Sequence, residues 1–377
     1  MRDELRICHV FATFAPGGPQ VRIANIFNSL PDRFSHTILA MDGNTSASAL
    51  IRPEVRVKFV DAERAKWGPA YGLYLGRKLR ALRPDLLTTH NWGSMDAAVG
   101  AALCRVRPWV HMETGFEADE AVSPKRRRVV ARRWLLRAAA AVIVPSRNLE
   151  RMARDEWKVS PERVRLVANG VDCDRFVPGN DERFRSSLGI HASAVVVGTV
   201  AHLRPVKDPL GLLDAFADVA GGRHDSHLVY FGEGEMRPAI EQRARERGLV
   251  DRVHLPGHVT DAAACHRSLD LFALCSRSEQ SPVSVLEAMA CGRPVLSTDV
   301  GEVKESVAGP NADHVTALDD RDAYRAALAS LLADRGLRER IGAANRARAV
   351  DRFGLAAMVD RYREIYEQAA QGGAPAG

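Results

Sequence analysis

Two glutamates stand eight positions apart, Glu279 and Glu287, inside the segment Ser276–Pro294. A strand-like run near Leu271–Leu274 precedes it, a polar turn carries Glu279 and Ser281, and Pro282 falls where a helix can begin. That helix is expected to stop at Gly292, before another strand near Pro294–Ser297. The first amides of a helix have no intrahelical acceptor, and the helix dipole favours an anion in front of them. Pro282 has no N–H, so Val283 and Ser284 must supply these donors to a phosphate. Ionised, Glu279 and Glu287 can accept charge-assisted hydrogen bonds. Two cations, Arg204 and Lys207, lie in a loop directly after a strand-like run near Ala194–Val200. His90 closes a third such run and His111 sits within a fourth, where a histidine more often serves the structure.

Positioning such groups takes strands that end beside helices that begin. Short apolar, β-branched runs alternate with longer helical patterns along nearly the whole chain, the signature of βαβ units and parallel sheets. The fold class is therefore α/β. Seven strand signals precede residue 178 and five follow it, so two Rossmann-like sheets are expected in succession. The crowding of Pro178, Gly179 and Asn180 marks the boundary, giving domains 1–178 and 179–371 with a disordered tail 372–377. Three helical stretches close the second domain, near Asp322–Ala333, Leu337–Ala349 and Leu355–Ala369.

A length of 377 residues suits two domains, and 46% hydrophobic with 27% charged residues is a globular composition. The longest uncharged apolar run is Ala138–Val144, far short of the roughly 18 residues of a spanning helix. Residues 1–6 pass directly into a strand, leaving no room for the apolar core of a signal peptide, so a cytoplasmic location is expected. The six cysteines are scattered without a Cys-x-x-Cys pair and are expected to be reduced, buried thiols. The net charge of +6 is uneven: residues 1–178 hold 29 Lys/Arg against 19 Asp/Glu, and the remainder 24 against 28. Its densest part is Lys125, Arg126, Arg127, Arg128, Arg132, Arg133 and Arg137, interleaved with Val129, Val130, Trp134, Leu135 and Leu136. As a helix this segment carries an apolar side and a basic side, which fits an ordinary packed helix or an anionic membrane surface. Aromatic stacking platforms are missing, so nucleic acid is not an expected partner.

The Glu-x7-Glu spacing, followed by Ala288-Met289-Ala290-x-Gly292-x-Pro294-Val295, resembles the signature of family 4 retaining glycosyltransferases. The resemblance implies two Rossmann-like domains facing across a cleft (GT-B), a nucleotide diphosphate sugar as donor and no metal or cofactor. It places Glu279 near the donor sugar and Glu287 on the ribose hydroxyls, and makes Arg204 and Lys207 the clamp on the diphosphate. His202 stands where the family usually has arginine, with Arg204 close enough to reach the same phosphates. Gly232-Glu233 and His258-Val259 resemble the family's nucleotide-side loops, and Gly17-Gly18 its acceptor-side glycine loop. His90 belongs to a stretch resembling a loop over the acceptor. Thr114 occupies the position of a histidine that many relatives carry before Gly-Phe, with His111 earlier on the same strand. Asp172-Cys173-Asp174 has the Asp-x-Asp form of a metal motif from another fold, but lies in the expected hinge. The implied activity is retaining, metal-independent transfer to a glycan or lipid-linked acceptor in cell-surface polysaccharide or glycolipid assembly. The alternative is a nucleotide-sugar epimerase or a non-catalytic sugar-nucleotide-binding protein. In an architecture of this kind the last helix often returns to the first domain.

Overall fold

The computed structural model describes residues 4–62, 69–116, 120, 125–220 and 225–372. They divide into two compact units, residues 1–169 with 355–377 and residues 170–354.

The first unit carries seven strands, β1 (Leu5–Phe11), β2 (Phe34–Ala40), β3 (Val57–Asp61), β4 (Leu86–His90), β5 (Trp109–Met112), β6 (Ala141–Val144) and β7 (Val164–Leu166). They form one parallel sheet in the order β3-β2-β1-β4-β5-β6-β7. Strands β4, β5 and β6 are buried at every position, because helices cover both faces of a parallel sheet. One face packs Cys8, Val10, Leu87 and Val142 against the helices Pro69–Leu82, Met95–Cys104 and Arg147–Asp155. The other packs Ile7, Phe11, Ile38 and Ile143 against the helix Gly18–Phe27 and the last helix, Leu355–Ala370. That last helix presents Met358, Val359, Tyr362, Ile365, Tyr366 and Ala369, an apolar stripe at helical spacing.

The second unit carries β8 (Val195–Val200), β9 (Ser226–Phe231), β10 (Val253–Gly257), β11 (Leu271–Leu274), β12 (Val295–Thr298) and β13 (Val315–Thr316), ordered β10-β9-β8-β11-β12-β13. β13 adds a sixth strand to the five read from the sequence; two residues are too short to show a period. Residues 170–178, read from the sequence as the end of the first half, group with this unit. Val171 and Phe176 enter its core, and the Val171 amide donates to the Phe353 carbonyl at 2.8 Å. Both sheets are therefore doubly wound, and the strand order reverses at β1/β4 in one and β8/β11 in the other.

Candidate functional site

Ligands of open α/β sheets bind outside the carboxyl ends of the strands, at the point where the strand order reverses. In the second unit that point lies between β8 and β11, and the loops leaving these two strands carry Lys207 and Glu279. The Lys207 ammonium is bonded to Glu279 Oε1, and Ser276 Oγ donates to the same oxygen at 2.8 Å. An ammonium has three N–H donors, so Lys207 keeps two for phosphate oxygens. Arg204 is exposed and makes no side-chain hydrogen bond or ion pair to the described residues. His202 is likewise exposed.

The backbone around this pair is tightly determined. Asp208, next to Lys207, takes φ +44° and accepts the Gly211 amide at 3.0 Å, while its other oxygen is bonded to Arg321. Arg321 Nη1 also donates to Cys275 Sγ at 3.1 Å, one residue before Ser276. The Arg277 amide donates to the Val206 carbonyl at 2.8 Å, joining the two loops directly. Thr298 Oγ1 donates to the Ser276 carbonyl at 2.6 Å, and the Glu302 amide to the Gln280 carbonyl at 2.9 Å. Between them Gly301, at φ +58°, lies so close that a Cβ would sit 2.4 Å from the Gln280 carbonyl oxygen.

Beyond the turn the helix Val283–Ala290 starts after Pro282, with Val283 and Ser284 in its first turn and Ser281 just ahead of it, all part-buried. Glu287, on its second turn, has Oε2 3.3 Å from Nε2 of the buried His266. On the β9 side, Gly232 runs against the β8 loop: a Cβ there would meet the Ala201 carbonyl oxygen at 2.0 Å, and its amide donates to Gly257 at 2.9 Å. Glu233 is exposed and gripped by Arg237 at 2.7 and 3.0 Å, which holds its carboxyl below the usual range. His258 is exposed beside the part-buried Val259. The structure thus brings Lys207, Glu279 and Ser276 into contact; among the described residues the side chains of Arg204, Glu233 and His258 make no hydrogen bond or ion pair with them.

In the first unit Gly17 precedes the helix Gly18–Phe27 and Gly18 is exposed with open space around its Cα. His90 is buried, stacked on Phe11 at 3.8 Å, with Nε2 3.1 Å from Thr88 Oγ1. The same hydroxyl lies 2.7 Å from His9 Nδ1, and His9 Nε2 lies 3.0 Å from His36 Nδ1. Burial lowers the pKa of all three rings, His36 to about 3. His111 is fully buried, Nδ1 2.9 Å from Thr89 Oγ1 and Nε2 3.6 Å from Glu113. Thr114 donates both its amide (2.8 Å) and its hydroxyl (2.9 Å) to Asn91 Oδ1. Asp172 of the Asp-x-Asp stretch accepts the amides of Asp174 and Arg175 at 3.1 Å, a turn cap.

The basic segment departs from its expected two-sided form. Helix Arg126–Leu135 turns Arg128 and Arg132 inward, Arg128 onto Glu120 at 2.8 Å and Arg132 onto Glu113 at 2.9 Å. The Arg132 guanidinium lies about 5 Å from the rings of Trp92 and Trp157. Val130 and Trp134 instead face solvent, Trp134 at 68% exposure, together with Arg126, Arg127 and Arg137. Buried carboxylates on neighbouring loops select the inward cations, which helical periodicity alone cannot see. Also invisible in sequence were Ser276, Asp208, His266, Thr298 and Arg321; only Gly301, in the turn after a strand, left a local signal.

Residues 16–175 match the family described as Glycosyltransferase Family 4, and residues 180–348 that described as Glycosyl transferases group 1. A D-inositol 3-phosphate glycosyltransferase of Geodermatophilus obscurus is 32% identical over 243 residues, 60% of this chain and 54% of that protein. One from Corynebacterium efficiens is 28% identical over 76% of this chain and 71% of its own length. The chain spans about half the length of the first curated relatives it matches, 54%, 50% and 45%. Among solved structures, Anabaena HepE in complex with UDP and glucose superposes with a TM-score of 0.83 at 20% identity, covering 97% of this chain and 100% of that one. Sucrose-phosphate synthase from Thermosynechococcus elongatus gives 0.82 at 20% identity, covering 98% and 100%. These likenesses show a two-domain GT-B fold.

Proposed function

This chain belongs to the family 4 glycosyltransferases, and on that premise we propose that it transfers a sugar, with retention of configuration, from a nucleotide diphosphate sugar to a glycan or lipid-linked acceptor. The observation that carries the reading is the Lys207–Glu279 contact at the β8/β11 reversal, in front of the helix start at Val283. Lys207, Arg204 and the Val283 and Ser284 amides receive the diphosphate, whose charge grows as the sugar leaves. Glu279 receives the sugar hydroxyls, and Glu287 the ribose. The leaving phosphate oxygen takes the acceptor proton on the same face, so neither a side-chain base nor a metal is required. Gly17, Gly18, His90, His111 and Thr114 belong to the acceptor-side unit in this reading, His90 and His111 shaping loops from within the sheet. Among the described residues no helix is long and apolar enough to cross a membrane. Contact with an anionic bilayer through Arg126, Arg127, Val130, Trp134 and Arg137 would bring a lipid-linked acceptor to the enzyme in cell-surface polysaccharide or glycolipid assembly.

Thermal shift with UDP-, GDP- and ADP-sugars identifies the donor, since a ligand at 100 times its Kd adds about 2.7 kcal/mol. Incubation of that donor with glycan, lipid-linked and inositol phosphate acceptors, in EDTA, should then release nucleoside diphosphate only when transfer occurs. An isomerised sugar nucleotide without release would replace this reading by the epimerase, and binding without either would leave a sugar-nucleotide sensor.

A further inference from the structure

His266 sits in the helix Ala262–Arg267 with no solvent exposure, its ring 6.1 Å from that of Phe176 and 5.5 Å from that of Phe272. Nε2 lies 3.3 Å from Glu287 Oε2, and the buried Nδ1 has no hydrogen-bond partner. A charged ring donates from Nε2 to Glu287 in any case; a neutral imidazole carries one N–H. On Nδ1 that proton would be buried without an acceptor, and the Nε2 lone pair would face a carboxylate lone pair. On Nε2 it meets Glu287, and only an acceptor is left bare, the less costly orphan. The carboxylate therefore fixes the tautomer, and the packed ring in turn fixes the carboxylate. The terminal torsion of a glutamate is otherwise broad. With Oε2 held, Oε1 is presented in one orientation at a side chain that is 15% exposed.

We infer that His266 is a positioning residue that aims Glu287 and thereby sets the preference for an intact ribose diol over a deoxyribose. The inference rests on the reading of Glu287 as the ribose residue. A freely turning carboxylate still attracts a hydroxyl, but it pays the entropy of being ordered when the ligand binds. The ring has no solvent exposure, so it acts on a ligand through the carboxylate it holds.

The test uses the full chain and whichever of UDP, GDP and ADP binds it most tightly, beside the 2′,3′-dideoxy form of the same nucleotide. Calorimetry on wild type should give a preference for the ribonucleotide of roughly tenfold or more, the scale of hydrogen bonds to a charged group. Glu287→Ala should abolish it. His266→Phe, which keeps the aromatic packing, should reduce it severalfold, and His266→Gln, which can still donate, should restore most of it. Because both nucleotides are titrated onto the same folded molecules, loss of folded protein cancels in the ratio. His266→Met serves as the second donor-less variant should Phe not fold. A full preference in the donor-less variants, with Glu287→Ala abolishing it, overturns the role of His266. A full preference in Glu287→Ala overturns the reading of Glu287 itself, as does the absence of binding by all three nucleotides.

Discussion

At the scale of single residues, the candidate site rests on a few polar contacts made in a part-buried setting. Lys207 is 27% exposed and Glu279 11%, so the pair is neither a screened surface contact nor a buried charge pair. Lys207→Ala and Arg204→Ala should each lower kcat by about 10²-fold or more while changing nucleoside affinity little, since the diphosphate gains charge only as the sugar departs. Steady-state kinetics beside calorimetry with the nucleoside separates the two effects; full turnover in both variants would move the clamp elsewhere. Ser276→Ala removes one of the two donors on Glu279 Oε1. It should raise KM for the donor sugar severalfold and spare the affinity for free nucleoside diphosphate, read in the same assays.

At the scale of elements, function depends on how two strand exits are held against each other. Arg321, at the start of the helix Arg321–Ala333, reaches Asp208 beside Lys207 and Cys275 beside Ser276, tying both exits to a third element. Burial pushes the Cys275 thiol up to about 11, so it is a neutral acceptor for that guanidinium rather than a nucleophile. The turn of Glu279 leans on Gly301, whose positive φ and close approach both exclude a side chain. Gly301→Ala should cost roughly 1–3 kcal/mol in chemical denaturation and depress turnover further than stability explains, because the Gln280 carbonyl must shift. An unchanged midpoint with full activity would show that the turn is not braced there. The helix Arg126–Leu135 makes a separate prediction. Wild type should sediment with anionic but not neutral vesicles, and less so as salt rises, because surface charges are screened over about 10 Å at 0.1 M. Trp134→Ala or joint Arg126→Gln and Arg127→Gln should weaken this without changing nucleotide affinity. Binding that ignores both variants would exclude this face.

At the scale of the whole molecule, buried histidines couple the stability of the first unit to pH. His9, His36 and His90 lie buried in the first unit with pKa values pushed below 6.5, first of all by burial. The unfolded chain therefore binds protons that the folded unit does not, and stability falls as pH drops below about 6.5, over the window down to the folded values. The described tryptophans, Trp92, Trp109, Trp134 and Trp157, lie in the first unit, so their fluorescence reads its unfolding. The urea midpoint by fluorescence should fall between pH 7 and pH 5, and His36→Asn should flatten that slope; a flat wild-type profile would mean that the rings take up protons as readily in the folded unit as in the unfolded chain. Much of this molecule was legible beforehand. The α/β class, two Rossmann-like sheets in succession and the family signature around Glu279 and Glu287 follow from periodicity, helix starts and spacing, all of which act over a few residues along the chain. Strand order, the inward turn of Arg128 and Arg132 and the partners Ser276, His266 and Arg321 were decided only in three dimensions. The reason is physical: Arg321 and Asp208 are 113 positions apart, and a buried side chain chooses its partner by desolvation and geometry, which local sequence does not encode.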